Sequence, residues 1–476
     1  MSNASVIGLS STLPAGWAWQ SLGDVLKVRN GFAFKSSDYQ KSGVLLIRQS
    51  NLDGNKVSLE KAEYLPEIFL KDHMDFRVAK GDVLIGMSGS IGKLCVYNRD
   101  EPALQNQRTG LLQFKDDSIK RWIWHYLPLI QGKLHEGGKG VGVQNISASQ
   151  IEGLPIPIAP EECRVQIVAE IEKQFSRLDE AVGNLKRVKV NLKRYKAAVL
   201  KAAVEGKLTE DWRKAHPNVE PASKLLERIL AERRAKWGGK GQYKETGRPN
   251  VNDLPQLPQH WAWCLTDALF SFVTSGSRGW AQYYSDEGPL FLRVGNLDHD
   301  SIRPDLSDVQ RVNPPAGAEG TRTMVESGDI LISITADVGM IAIVPAGLGD
   351  AYINQHVSLA RPLNGFCREY LAWYLAARDG GQKMFLQLQR GATKVGLGLD
   401  DIRTVPVPLP PLKEQQEIVA EVERRLSVIE ELNTAVQANL TRADRLRQSI
   451  LSQAFSGRLV LQRYSVEPNF RKLGGV

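Results

Sequence analysis

Apolar residues follow two rhythms along this chain, and the two rhythms alternate. In one kind of segment they are β-branched, lie in short runs and are punctuated by glycine, as in DVLIGMSGSIGKLCV at residues 82–96. That pattern predicts strands joined by turns and loops. In the other kind, residues 161–203 and 412–454, there is no proline and only one glycine, Gly183. Each such segment predicts one long helix, about 65 Å at 1.5 Å per residue.

Within the first long helix Ile171, Phe175, Leu178, Val182, Leu185, Leu192 and Val199 step by 4, 3, 4, 3, 7 and 7. This is the apolar seam of a heptad repeat. In the second, Val422, Leu426, Ile429, Asn433, Val436, Ala443 and Ile450 each fall 251 residues after their counterpart. A narrow stripe must be buried on something, and the matching stripe of the other helix is the nearest candidate, so an intramolecular coiled coil is expected. Asn433, polar at a seam position, either fixes register or faces solvent at a frayed seam.

The shared offset belongs to a tandem duplication. LPAGWAW at 13–19 returns as LPQHWAW at 257–263, and LLIRQSNLDGNKV at 45–57 as LFLRVGNLDHDSI at 290–302. PIPIAPEECRVQIVAEIE at 155–172 returns as PVPLPPLKEQQEIVAEVE at 406–423. The offset drifts from 244 to 251 within the strand-rich parts and then stays fixed, as expected if insertions fall in loops. The expected organisation is a first strand-rich domain (1–158), a long helix (159–206), a linker with a charged helix (207–256), a second strand-rich domain (257–409), a second long helix (410–455) and a tail (456–476). Each domain feeds its own helix, so parallel helices would make the linker return along their whole length. Antiparallel packing avoids that return and places one domain at each end of a rod. The fold class is α+β.

Composition narrows the function. The chain has 476 residues, 42% hydrophobic and 24% charged, the balance of a globular protein. Its four cysteines stand far apart, which excludes a disulfide scaffold and CxxC zinc or redox spacing. No basic leader and no long uncharged apolar run appears, so a cytoplasmic protein with no membrane partner is expected. Sixty-one Lys and Arg against 53 Asp and Glu give a net charge of +8, which favours a polyanionic partner.

Catalytic motifs are missing. Seven scattered histidines form no HExxH and no cluster at metal spacing. The stretch 87–93 resembles a phosphate-binding loop, but Met87 and Leu94 replace the glycine and the hydroxyl that chemistry needs. GKGVG at 138–142 and NPPA at 313–316 likewise lack their contexts.

What the loops do carry is groove and phosphate chemistry. In the first copy the candidates are Lys35, Ser36, Arg48, Asn51, Ser88, Lys93, Gln105, Asn106, Gln107, Arg108, Lys139 and Gln144. In the second they are Arg278, Arg293, Asn296, Thr335, Asn354, Gln355, His356, Arg390, Thr393 and Lys394. Arg and Lys can pair with guanine edges or phosphates and Asn and Gln with adenine, while glycine allows close backbone approach. Positions correspond between copies and residues differ, so the two would read different base sequences. Solvated turns are the plainer reading of any single one.

Two strand-rich domains, each followed by a PxPxPP-like lead into a heptad helix with IVAE near its start and GKL or GRL at its end, resemble the specificity subunits of type I restriction-modification enzymes. GKLTEDWR at 206–213 and ASKLLERILAERRA at 222–235 extend the likeness. The first copy departs from it: Ala159-Pro160 stand for the double proline, and Cys163-Arg164 stand where the second copy has Glu414-Gln415. The resemblance implies that each domain reads half of a split, asymmetric site in double-stranded DNA. It implies as partners two modification subunits, carrying S-adenosylmethionine and adenine methylation, and two ATP- and Mg-dependent restriction subunits, with no cofactor and no catalysis in this chain. The alternative from another class is a coiled-coil adaptor with two protein-binding domains.

Overall fold

The computed structural model describes residues 13–54, 56–137, 144–236, 242–276, 278–314, 317–390 and 396–460. The chain divides into two compact units, one of residues 1–186 with 437–476 and one of residues 187–436. Both boundaries fall inside the long helices, Glu161–Val204 and Leu412–Phe455, so each unit owns the start of one helix and the end of the other.

Unit 1 holds two four-stranded sheets and a two-stranded ribbon. The first sheet runs Leu26–Asn30, Thr109–Phe114, Val83–Gly86, Leu94–Val96, antiparallel throughout. The second runs Glu63–Leu65, Val44–Ile47, Ala103–Gln105, Arg77–Val78, and its central pair is parallel. Several strands are apolar at every position, Val44–Ile47 and Val83–Gly86 among them, because both of their faces are covered. The ribbon pairs Ala18–Ser21 with Pro155–Ile158, so the proline-rich lead to the helix is itself a strand. Behind it Trp122 and Tyr126, one turn apart on Lys120–Leu129, donate to the carbonyls of Pro157 and Pro155.

Unit 2 repeats this plan. Its sheets run Phe270–Ser275, Val357–Pro362, Ile330–Ser333, Ile341–Ile343 and Gln310–Val312, Tyr284–Leu292, Ala351–Ile353, with an isolated bridge from Met324 to Tyr352 where unit 1 has a fourth strand. Tyr370 and Tyr374 donate to Pro408 and Pro406 as Trp122 and Tyr126 do to their prolines. The charged helix expected in the linker, Ala222–Ala235, is amphipathic. It buries Ala222, Leu225 and Ile229 in the core around Phe270 and Leu371, and thus belongs to the body of unit 2.

The long helices pair antiparallel inside each unit. In unit 1 Cys163, Ile167 and Ile171 share a core with Leu451, Ala454 and Phe455, while further along Asp179 pairs with Arg447, whose guanidinium lies 4.5 Å from the Phe175 ring. In unit 2 Val199, Leu200 and Ala203 pack with Ile418, Val419 and Val422. All fourteen seam positions are buried or half-buried, Asn433 half-buried between buried Ile429 and Val436. Among the described residues no helix is long and apolar enough to cross a membrane.

Candidate nucleic-acid interface

Loops far apart in sequence are stitched together backbone to backbone in unit 1. Phe32 N donates to Gln105 O and Gln107 N returns to Phe32 O, both at 3.0 Å. Asn106 N donates to Ile47 O, Met87 N to Arg108 O and Gly89 N to Gln144 O, and Ile146 N closes back on Met87 O. The five polar loops picked out by sequence therefore form one surface. Gly31 makes a very close approach: a Cβ there would stand 2.2 Å from Asn106 O. Only glycine allows that contact.

Unit 2 builds the same surface from the same positions. Gly276 N donates to Val357 O, Asn354 N to Leu292 O, Ile334 N to His356 O and Leu397 N to Ile334 O. A Cβ on Gly276 would lie 2.1 Å from Ile353 O. Arg390 and Gly396 bond to each other through both backbone groups.

Sequence-chosen residues separate into two kinds on this scaffold. Asn51 is fully buried; its Oδ1 accepts from Arg48 N at 3.0 Å and its Nδ2 donates to Ser58 O at 3.0 Å. Asn296 repeats this with Arg293 N, Asp305 O and Asp308 O. Gln105, also fully buried, donates to Arg29 O and Thr109 O. These three amides, expected to touch bases, instead satisfy buried backbone and hold the loops in shape. Ser88 is buried in a bridge with Asn145, and Asn106 and Asn354 spend Oδ1 on the backbone N–H groups of Arg108 and His356. Arg48 donates to Lys61 O at 2.6 Å, lies 3.6 Å from Glu63 and faces the Tyr39 ring, and Arg293 reaches Asp308 at 4.0 Å.

Lys35, Ser36, Gln107, Arg108, Gln144, Arg278 and Arg390 are exposed, Arg390 with a 2.9 Å pair to Asp401. Lys93 is half-buried beside Gly54 and Trp124, at a cavity that Phe175 and Arg447 also line. In unit 2 Thr335, Gln355 and His356 form a chain: the Gln355 amide lies 3.0 Å from His356 Nε2, and His356 Nδ1 lies 2.5 Å from the Thr335 hydroxyl. With the amide donating to Nε2, the ring proton sits on Nδ1 and donates to Thr335. Lys139, Thr393 and Lys394 lie outside the described residues. Sequence reading passed over Tyr39, Gln49 and Ser50, which line a cleft with Gln107 and Arg108. Their nearness to Asn106 depends on the parallel pairing of Val44–Ile47 with Ala103–Gln105, which no local pattern shows.

Comparison with known proteins agrees with this picture. The family described as type I restriction modification DNA specificity domain matches residues 14–189 and 320–442. The type I restriction enzyme EcoBI specificity subunit of Escherichia coli is 25% identical over 465 residues, covering 95% of this chain and 88% of the relative. The EcoKI specificity subunit of Escherichia coli K12 is 24% identical over 476 residues, covering 96% and 92%. A putative MjaX specificity subunit of Methanocaldococcus jannaschii is 23% identical, covering 94% of each. Among solved structures, a chain described under complex assembly and conformational transition of the type I R-M system superposes with a TM-score of 0.61 at 20% identity. It covers 94% of this chain and 100% of that one, a likeness of fold.

Proposed function

This chain belongs to the type I restriction-modification DNA specificity family, and from that premise we propose that it reads a split, asymmetric sequence in double-stranded DNA, one half with the loop surface of each unit. It is the specificity subunit of its enzyme and has no catalytic role of its own. The observation that carries the two-half reading is the pair of matching loop surfaces. Three of their stitching backbone hydrogen bonds recur at matching positions, yet Gln107-Arg108 stand on one where Gln355-His356 stand on the other. Equal scaffolds with unequal side chains read unequal half-sites, whereas identical ones would read a palindrome.

Modification and restriction subunits are its partners. Two modification subunits would bring S-adenosylmethionine and adenine methylation, and two restriction subunits the ATP- and Mg-dependent cleavage, leaving this chain without a cofactor and acting in the cytoplasm. The family relation supports the partners, and the internal duplication supports two of each.

The test is reconstitution. Mixed with its modification subunits and S-adenosylmethionine, the chain should direct adenine methylation to one bipartite sequence, and alone it should methylate nothing. Exchanging residues 257–405 for those of a relative should change one half of that sequence. A change in both halves contradicts independent reading. Binding without a salt-dependent slope would instead favour the protein-binding adaptor.

A further inference from the structure

At the centre of the stitched loops of unit 1 lies a cleft of about 400 Å³, walled by Phe34 and Tyr39 and rimmed by Gln107 and Arg108. Two of the polar side chains around it are already committed: Arg48 is held by Lys61 and Glu63, and Asn106 by the Arg108 N–H. Gln107 and Arg108 differ from these: both are exposed, and neither side chain has a partner among the described residues. Their backbone is nevertheless fixed from three sides, by Phe32 O, by the Asn106 side chain and by Met87 N. Two side chains without a protein partner on a hydrogen-bonded backbone leave their polar atoms open to a ligand from a fixed origin.

The same positions in unit 2 are occupied differently. Gln355 and His356 are tied to each other and to Thr335, so their polar atoms are partly spent inside the protein.

Resting on the specificity reading above, we propose that Gln107 and Arg108 are the base-reading pair of unit 1. The two-pronged Arg108 guanidinium takes a guanine edge in the major groove, and the Gln107 amide takes the edge of an adjacent adenine. Arg48 and the buried Asn51 and Gln105 are positioning residues that hold this pair in place.

The test uses the full chain assembled with its modification subunits on DNA in which both half-sites are randomised, with methylated adenines mapped by sequencing. The half belonging to unit 1 is identified as the one that exchange of residues 257–405 leaves unchanged. Arg108→Lys keeps the charge and loses the fork. It should therefore lower the preference for guanine at one position of that half about five- to a hundred-fold, with the other half intact. Gln107→Ala should relax the neighbouring position alone. If Arg108→Lys and Arg108→Ala both keep the preference at every position and alter only salt dependence, Arg108 contacts a phosphate and the proposal fails. It fails equally if the changed position lies in the half read by unit 2. Assembly of each variant with the modification subunits at the wild-type yield excludes misfolding as the cause. Should the wild-type complex methylate no defined sequence, the specificity reading itself falls, and that result is separate from any effect of the variants.

Discussion

At the base of unit 2 the indole N–H of Trp261 donates to Glu414 at 2.9 Å, whereas at the same place in unit 1 the indole N–H of Trp17 has no partner among the described residues. Glu414 is fully buried, and its carboxylate also accepts from the Thr209 hydroxyl and the Arg213 guanidinium, which lies 5.9 Å from the Trp261 ring. Beside it Gln415 accepts from Cys367 N and donates to Pro410 O. In unit 1 Cys163 takes the place of Glu414 and shares an apolar core with Trp17, against which Leu459 and Val460 pack where Leu208 and Thr209 stand in unit 2. Arg164, in place of Gln415, turns back to Ala159 O and Ser118. The backbone closes alike on both sides: Gly206 and Gly457 both end their helices at φ +71° and press on Pro258 and Pro14. One geometry is thus sealed by a buried charge network in one unit and by apolar contact in the other. The departure of Cys163-Arg164 from Glu414-Gln415, visible in sequence, is a change of sealing chemistry with the shape conserved.

A charge network and an apolar seal should fail differently. Glu414→Leu strands a guanidinium and an indole N–H in a buried junction and should cost about 3–5 kcal/mol, while Cys163→Ala should cost about 1 kcal/mol. Thermal unfolding together with hydrogen exchange over residues 206–213 measures both, and equal losses would erase the contrast. Trp261→Phe leaves one carboxylate oxygen of Glu414 unpaired, worth about 1–3 kcal/mol. Trp17→Phe removes an N–H that bonds to nothing described and should cost less, which denaturant titration of the two variants compares. Gly206→Ala and Gly457→Ala both force alanine into the left-handed region, about 1–2 kcal/mol. The second should lose more, because its Cβ would stand 2.3 Å from Pro14 Cγ against 2.9 Å from Pro258 Cγ in the first.

The smallest contrast lies about two and a half turns into the helices. Arg424, with Arg425, holds the Glu421 carboxyl down to about 2, whereas its counterpart Glu170 is lowered chiefly by the Gln174 amide and then by Lys173. A lowered carboxylate stabilises the fold above the ordinary carboxylate range and loses that contribution as pH falls through its folded value. The stability difference between wild type and Glu421→Gln, about 0.5 kcal/mol near neutrality, should therefore fade as pH falls from about 4.5 toward 2. Acid titration of the two proteins checks it.

Much of this architecture is legible in the sequence, because periodicity is a local property. The helices expected at 161–203 and 412–454 run Glu161–Val204 and Leu412–Phe455, with their seams buried or half-buried. The gathering of five loops onto one surface is not legible, since it depends on parallel and long-range strand pairs. Asn51 and Asn296 show why residue type alone misleads. An amide that closes a loop and an amide that reads adenine need the same donor and acceptor, and only burial separates them. Cys163 could be read as a departure, but its meaning lies with Thr209 and Arg213, whose bonds to Glu414 span 205 and 201 residues.

The way the chain is shared between the units also sets an order of events during synthesis. Residues 187–436 are one uninterrupted stretch, so unit 2 has all of its material as soon as Val436 is made. Unit 1 begins first and is completed last, because Leu451, Ala454 and Phe455 belong to the core that holds Trp122 and Tyr126. Until the ribosome delivers them, that core stands open on one side, with the apolar stripe of the first half of the first helix unpaired. The closing step joins segments almost three hundred residues apart at slowly rising loop-closure entropy. A chain truncated after residue 436 and released should accordingly carry a closed unit 2 together with an unsealed unit 1 that recruits chaperones.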